Sequence, residues 1–268
     1  MPKVVWSWRL SERRKKKKTS AASVEFAQRA ISRRIRLLSA AGCVILVLAL
    51  LSNGKTERAA LVSAPSVIQE RTVILDAGHG GFDGGAIAAD GTSEKDINLH
   101  ITLQLGEYLR LCGYRVVYTR TEDTATDTIP GASVSRRKVD DMKQRLSFMK
   151  ENPDAVFISI HLNKFTAGNV SGTQVFYSDR VLQSKILGQC IQNAVVRQLQ
   201  PENTRSSKKE GRNTYLSRNA TVPFAIVECG FLSNTRELAL LKQPEYQDEL
   251  AYCIFGGILD YFSAQSGF

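Results

Sequence analysis

Three β-rich apolar runs, Val73-Ile74-Leu75, Val156-Phe157-Ile158 and Ala225-Ile226-Val227, are separated by longer stretches whose apolar residues recur at helical spacing. That alternation restricts the fold more than any other property of the chain. A run that is apolar at consecutive positions suits a strand covered on both faces, and the helical stretches between such runs supply the cover. Residues 94–112 carry Ile97, Ile101, Leu105 and Leu109 four apart, and Gly113 closes that helix. Residues 135–151 predict a charged second helix with Val139, Met142, Leu146 and Met149 turned inward, broken by Pro153-Asp154. Further helices are expected over 181–199 and 247–262, the latter with Leu250, Ile254, Ile258 and Phe262 on one face. Additional strands are expected at 115–119 and 172–177. The expected fold class is α/β: a mixed, largely parallel sheet with helices on both faces, in three layers (α/β/α), preceded by one transmembrane helix.

The transmembrane expectation comes from charge. Residues 1–36 hold twelve Lys or Arg against Glu12 and Glu25, an excess of ten that equals the formal net charge of the whole chain. The remainder is close to neutral, so the basic pI does not point to nucleic acid as a partner. Residues 37–54 are uncharged, a length near the short limit for a membrane span. An uncleaved signal anchor is favoured over a cleaved signal or a buried helix, because the leader is long and the small-residue exit Val62-Ser63-Ala64 is followed by Pro65. The expected organisation is a basic cytoplasmic arm (1–36), the anchor (37–54), a linker (55–71) and a catalytic domain (72–263) outside the cytoplasm, at the cell membrane. The five cysteines form no Cys-x-x-Cys pair and are read as small buried side chains.

The chain has three histidines, and two of them, His79 and His161, follow apolar runs where an α/β sheet gathers its site residues. With Glu94 they make an open set of two imidazoles and one carboxylate, which suits a catalytic zinc that keeps one position for water. Glu228 ends the third apolar run, where burial raises a carboxyl pKa towards the range of a general base. Taken singly, each histidine could be a loop or packing residue, and Glu228 a structural acid held by an Arg or by helix amides. His100 reads as an ordinary helix residue.

In order, Asp76-Ala77-Gly78-His79-Gly80-Gly81, Glu94-Lys95-Asp96-Ile97-Asn98-Leu99, Ser159-Ile160-His161-Leu162-Asn163 and Val227-Glu228-Cys229-Gly230-Phe231-Leu232-Ser233-Asn234 resemble the zinc-dependent N-acetylmuramoyl-L-alanine amidases of the amidase type 3 family. The likeness covers about residues 72–262. It implies hydrolysis of the amide between the lactyl group of N-acetylmuramic acid and L-alanine in the glycan-peptide strands of peptidoglycan. It also implies one Zn2+ held by His79, Glu94 and His161, with Glu228 as the catalytic acid. Ala77 stands where the family usually has proline. Arg145 and Asn163 match positions associated with the site and are expected to bind substrate, although a salt bridge or a cap would explain them equally well. The loop 163–172 is too short for the helix that blocks zinc in some relatives, so an open site or an activating partner protein is expected. The closing stretch from Asn213 to Phe262 looks most like the spore-cortex amidases, whose action precedes muramic δ-lactam formation. A zinc peptidase of the stem peptide and a catalytically silent wall-binding module are the alternatives.

Overall fold

The computed structural model describes residues 71–165, 170–210 and 214–265. The expected arm and anchor, and the expected linker up to residue 70, lie outside the described residues. Among the described residues no helix is long and apolar enough to cross a membrane.

Among the described residues the strands are β1 (Thr72–Ala77), β2 (Arg115–Tyr118), β3 (Val156–Asn163), β4 (Gln174–Tyr177), β5 (Lys208–Lys209) and β6 (Phe224–Phe231). They form one sheet in the order β2-β1-β3-β6-β4-β5. Every pairing is parallel except that of β4 with β6. The helices among the same residues are α1 (Glu94–Leu111), α2 (Val134–Glu151), α3 (Gln183–Gln198), α4 (Tyr215–Asn219), α5 (Thr235–Leu241) and α6 (Pro244–Gln265). The mixed, largely parallel α/β sheet is as expected. Gly113 adopts φ 82 just past α1, the left-handed geometry expected of a helix-closing glycine.

Side chains alternate across each strand, so one face of the sheet packs Val73, Leu75, Ile158, Ile160 and Val227 against α1, α3 and α6. The other face packs Ile74, Phe157, Phe224 and Ile226 against α2 and α4. Continuing that second parity towards the carboxyl ends of the strands gives Asp76, Ser159, His161 and Glu228. The register pairs Asp76 with Ser159 and His161 with Glu228, so four polar residues come together on one face by strand periodicity alone.

Three details differ from expectation. His161, expected just past its strand, and Glu228, expected as the last residue of its own, both lie inside β3 and β6, because pairing between those strands continues past them to Asn163 and Phe231. The register shifts between those two pairs, so β6 carries one more residue than β3 there, a bulge directly after Glu228. Val139 is 53% exposed rather than inward. Helix α2 instead buries Asp141 and Arg145 along with Leu146 and Met149. The expected face is otherwise used, with Met142 partly buried beside Leu146 and Met149, and the buried Asp141–Arg145 pair extends it on the side away from Val139.

Candidate metal centre

His79, Glu94 and His161 meet at one point. Their ligand atoms all lie within 4.8 Å of one another. His79 Nε2 is 3.3 Å and His161 Nδ1 is 3.0 Å from the same oxygen, Glu94 Oε1. The two rings stand edge to face with centroids 4.9 Å apart. Glu94 arrives from the first turn of α1 and is only 3% exposed. Its Oε1 also accepts from the Leu162 amide (3.0 Å) and from Asn98 Nδ2 (3.2 Å), and its Oε2 accepts from the Ala86 amide (2.8 Å). Burial pushes this carboxyl up, but its bonds to His161 and His79 outweigh burial and hold it well below the usual carboxylate range.

The loop from Ala77 to Gly85 is shaped around these groups. His79 itself adopts φ 64, a backbone conformation that non-glycine residues seldom take and that persists only where neighbours hold it. Two glycines are required by close approach. A Cβ on Gly78 would stand 2.3–2.7 Å from three atoms of the His161 ring, and one on Gly85 would stand 2.6 Å from Glu94 Oε2 and 2.7 Å from His79 Cδ2. Asp83 Oδ2 accepts from His79 Nδ1 at 3.0 Å, which orients the ring so that Nε2 faces Glu94. Asp83 is in turn held by Lys138 Nζ at 2.9 Å. Burial lowers the His79 pKa, but Asp83 and Glu94 together outweigh it and raise the ring to about 9 in the metal-free protein.

Arg145, expected to bind substrate, is instead buried at 1% exposure beneath this loop. It pairs with Asp76 and, through Nε at 2.8 Å, with Asp141, and it donates to the carbonyls of Ala77 (3.0 Å) and His79 (2.6 Å). Its donors are spent on the protein, so it supports the loop rather than touching substrate. Asn163 is half-buried at the end of β3, where its carbonyl accepts from the Leu232 amide at 2.8 Å. His100 is a half-buried residue of α1 apart from the cluster, in keeping with its reading as an ordinary helix residue. Asp83 and Asn98 escaped sequence reasoning. The signals were a carboxylate four residues after His79 in a glycine-rich loop, and an amide four residues after Glu94 on the same helix face.

Glu228 is the register partner of His161 on the neighbouring strand, with Gln174 of β4 opposite it on the other side. Its Oε2 is shut off from solvent and has no hydrogen-bond partner. Burial, with Glu94 and Glu210 nearby, pushes this carboxyl up to about 7 against the pull of His161 and His79. A buried carboxyl oxygen without a partner is costly unless a ligand or a proton completes it.

The residues fit a zinc ion. Zinc bonds of about 2.0–2.1 Å to nitrogen and oxygen place tetrahedral ligands about 3.3 Å apart. The measured 3.3 and 3.0 Å separations from Glu94 Oε1 match that edge length. Two imidazole nitrogens aimed at one carboxylate oxygen need a proton or a cation among them, and an imidazole-carboxylate set suits zinc.

A family profile described as N-acetylmuramoyl-L-alanine amidase matches residues 73–260. The germination-specific N-acetylmuramoyl-L-alanine amidase of Bacillus subtilis (strain 168) is 38% identical over 193 residues, spanning 72% of this chain and 80% of that protein. Among solved structures, the CwlD amidase of Clostridioides difficile, in complex with the GerS lipoprotein, superposes with a TM-score of 0.69 at 38% identity, covering 72% of this chain and 99% of that one. An N-acetylmuramoyl-L-alanine amidase from Clostridium difficile 630 gives a TM-score of 0.61 at 31% identity, covering 72% and 97%. Each match spans most of the relative's own length, and the matched profile reaches from the first residues of β1 into the last turns of α6. The chain therefore belongs to the N-acetylmuramoyl-L-alanine amidase family of peptidoglycan hydrolases.

Proposed function

We propose that this amidase is zinc-dependent, that His79, Glu94 and His161 hold the ion, and that its product is the peptide-free muramic acid of the spore cortex. The observation that carries the reading is the convergence of three ligand atoms within 4.8 Å, both histidine nitrogens standing 3.0–3.3 Å from Glu94 Oε1, with an unpartnered buried carboxyl oxygen of Glu228 on the neighbouring strand. Bound there, zinc would supply a Lewis acid for the lactyl carbonyl and lower the pKa of the attacking water. The Glu228 carboxylate accepts the proton of the attacking water, holds it while the amide carbonyl carbon is attacked, and returns it to the departing alanine nitrogen. A carboxyl raised towards 7 by burial is suited to both transfers. Asp83 keeps Nδ1 of His79 protonated so that Nε2 stays free to ligate. Asn163, two residues beyond His161 on the same strand, is placed by this reading on the substrate side.

The cortex role draws its support from the germination-specific relative, and it carries two corollaries. A lipoprotein is the expected partner, since the CwlD amidase was solved with one. The uncharged run 37–54 anchors the chain in the membrane with residues 72–263 outside the cytoplasm. The test is digestion of purified peptidoglycan by the zinc-loaded protein, with products identified by mass spectrometry. Intact stem peptides with a free L-alanine amine, together with bare lactyl groups on the glycan, are expected. Shortened peptides still attached to glycan would make the protein a peptidase, and unaltered peptidoglycan a binding module. Loss of muramic δ-lactam from spores of a deletion strain tests the cortex role separately.

A further inference from the structure

Arg120 is 5% exposed, yet its four hydrogen bonds all go to backbone carbonyls: Nε to Ala77 (2.9 Å), Nη1 to Glu122 (3.0 Å), and Nη2 to both Gly78 (3.1 Å) and Lys95 (2.8 Å). Gly78 is the residue before His79, and Lys95 is the residue after Glu94. One nitrogen thus ties the loop that carries the first ligand to the helix that carries the second. Asn98 Nδ2 repeats the tie, bonding Gly78 O and Glu94 Oε1 at 3.2 Å each. The guanidinium is placed at a cost. Burial and the neighbouring Arg145 both disfavour its charge, and carboxylates contribute only at a distance. A buried charge satisfied by carbonyls alone makes a poor stabilising device, but its rigid planar fork fixes several backbone points at once.

We propose that Arg120 is a positioning residue for the metal centre, setting the separation of His79 and Glu94 through the backbone that flanks each of them. The inference rests on the reading of His79, Glu94 and His161 as zinc ligands. Arg145 holds the neighbouring carbonyls of Ala77 and His79, so the two guanidiniums between them secure three successive carbonyls of the ligand loop. Arg145 reaches only the loop side, whereas Arg120 spans from loop to helix.

The experiment measures zinc affinity of the full-length protein by chelator competition and the visible absorption of its cobalt-substituted form, in the parent, Arg120→Met and Arg120→Lys. Arg120→Met is expected to raise the zinc Kd about 10–100-fold and to shift the cobalt ligand-field bands, with Arg120→Lys between it and the parent. Arg197→Met, which breaks the exposed Arg197 pair with Asp260 between α3 and α6, should leave both readouts unchanged. A folded Arg120 variant with a Kd within twofold of the parent and an unaltered cobalt spectrum overturns the proposal, even if its unfolding midpoint has dropped. Should Arg120→Met fail to fold, Arg120→Lys decides by the same two readouts. If the parent itself binds neither metal, the zinc reading fails instead.

Discussion

Exchanging Arg145 for Met keeps a side chain of similar length and removes every donor. The parent guanidinium bonds Asp76, Asp141 and the carbonyls of Ala77 and His79, and both Arg145 and Asp76 are 1% exposed. Without it Asp76 keeps only the hydroxyls of Thr119 (2.7 Å) and Ser159 (2.6 Å). Deleting one member of a buried ion pair costs about 3–5 kcal/mol, because the other charge stays buried. Asp141 still accepts from Thr126, so no second full penalty is added. In a folded region of this size that loss corresponds to a fall in Tm of roughly 6–20 °C. The pH dependence separates this cause from simple loss of packing. In the parent, burial raises Asp76 but Arg145 and the hydroxyls outweigh it and lower the carboxyl from its ordinary 3.8. Its contribution is therefore present above that value and lost only as pH falls through the depressed pKa. In the variant, burial prevails and the carboxyl titrates above its ordinary value, so its contribution is present at low pH and lost as pH rises. Urea unfolding of metal-free protein should accordingly show a larger deficit at pH 7 than at pH 5, and Arg145→Met/Asp76→Asn should recover part of it. A deficit below about 1 kcal/mol, or one equal at both pH values, refutes the reasoning.

Gly78→Ala drives a methyl into the His161 ring and should weaken zinc binding at least about tenfold, read by chelator competition; unchanged affinity would show that the ring has room to move. Glu228→Gln should still bind zinc but hydrolyse peptidoglycan about 10²–10⁴-fold more slowly, and a normal rate would remove Glu228 from the mechanism. Because Asp83 and Glu94 outweigh burial and raise His79 to about 9, zinc uptake at pH 7.5 should release about one proton, detectable by calorimetry in buffers of different ionisation enthalpy. The same raised value gives the metal-free protein stability that is fully present below 6.5 and lost as pH rises through about 9, so its urea midpoint should fall across that interval; a midpoint that rises there contradicts the assignment.

The sheet and the long helices were legible because each element is long enough to show its period. Strand β1 and helix α1 were expected within a residue or two of where they lie. Helices α4 and α5 span only five and seven residues, too few to establish an apolar face, and β5 is two lysines that pair only at an edge. The four chemical residues were visible because apolar runs deliver three of them and a glycine-rich loop surrounds the first. Their supports were not. Asp83, Asn98 and Arg120 act through contacts 4, 4 and 42 residues apart, and the last separation leaves no local trace. Arg145 was noticed but left open between substrate binding and a salt bridge, since a sequence cannot tell an arginine facing a cleft from one sealed under a loop by Asp76 and Asp141.

The two strands that carry His161 and Glu228 are hydrogen-bonded on both sides, so the gap between them is as stiff as the sheet itself. His79 and Glu94 come from a loop and from the helix that follows it. An enzyme assembled this way has a fixed half and an adjustable half, and Glu228, the acid proposed to move the proton, belongs wholly to the fixed one. Natural variation along the loop can thus retune how firmly the cation is retained, and with it the enzyme's sensitivity to metal scarcity, while the acid keeps its stance.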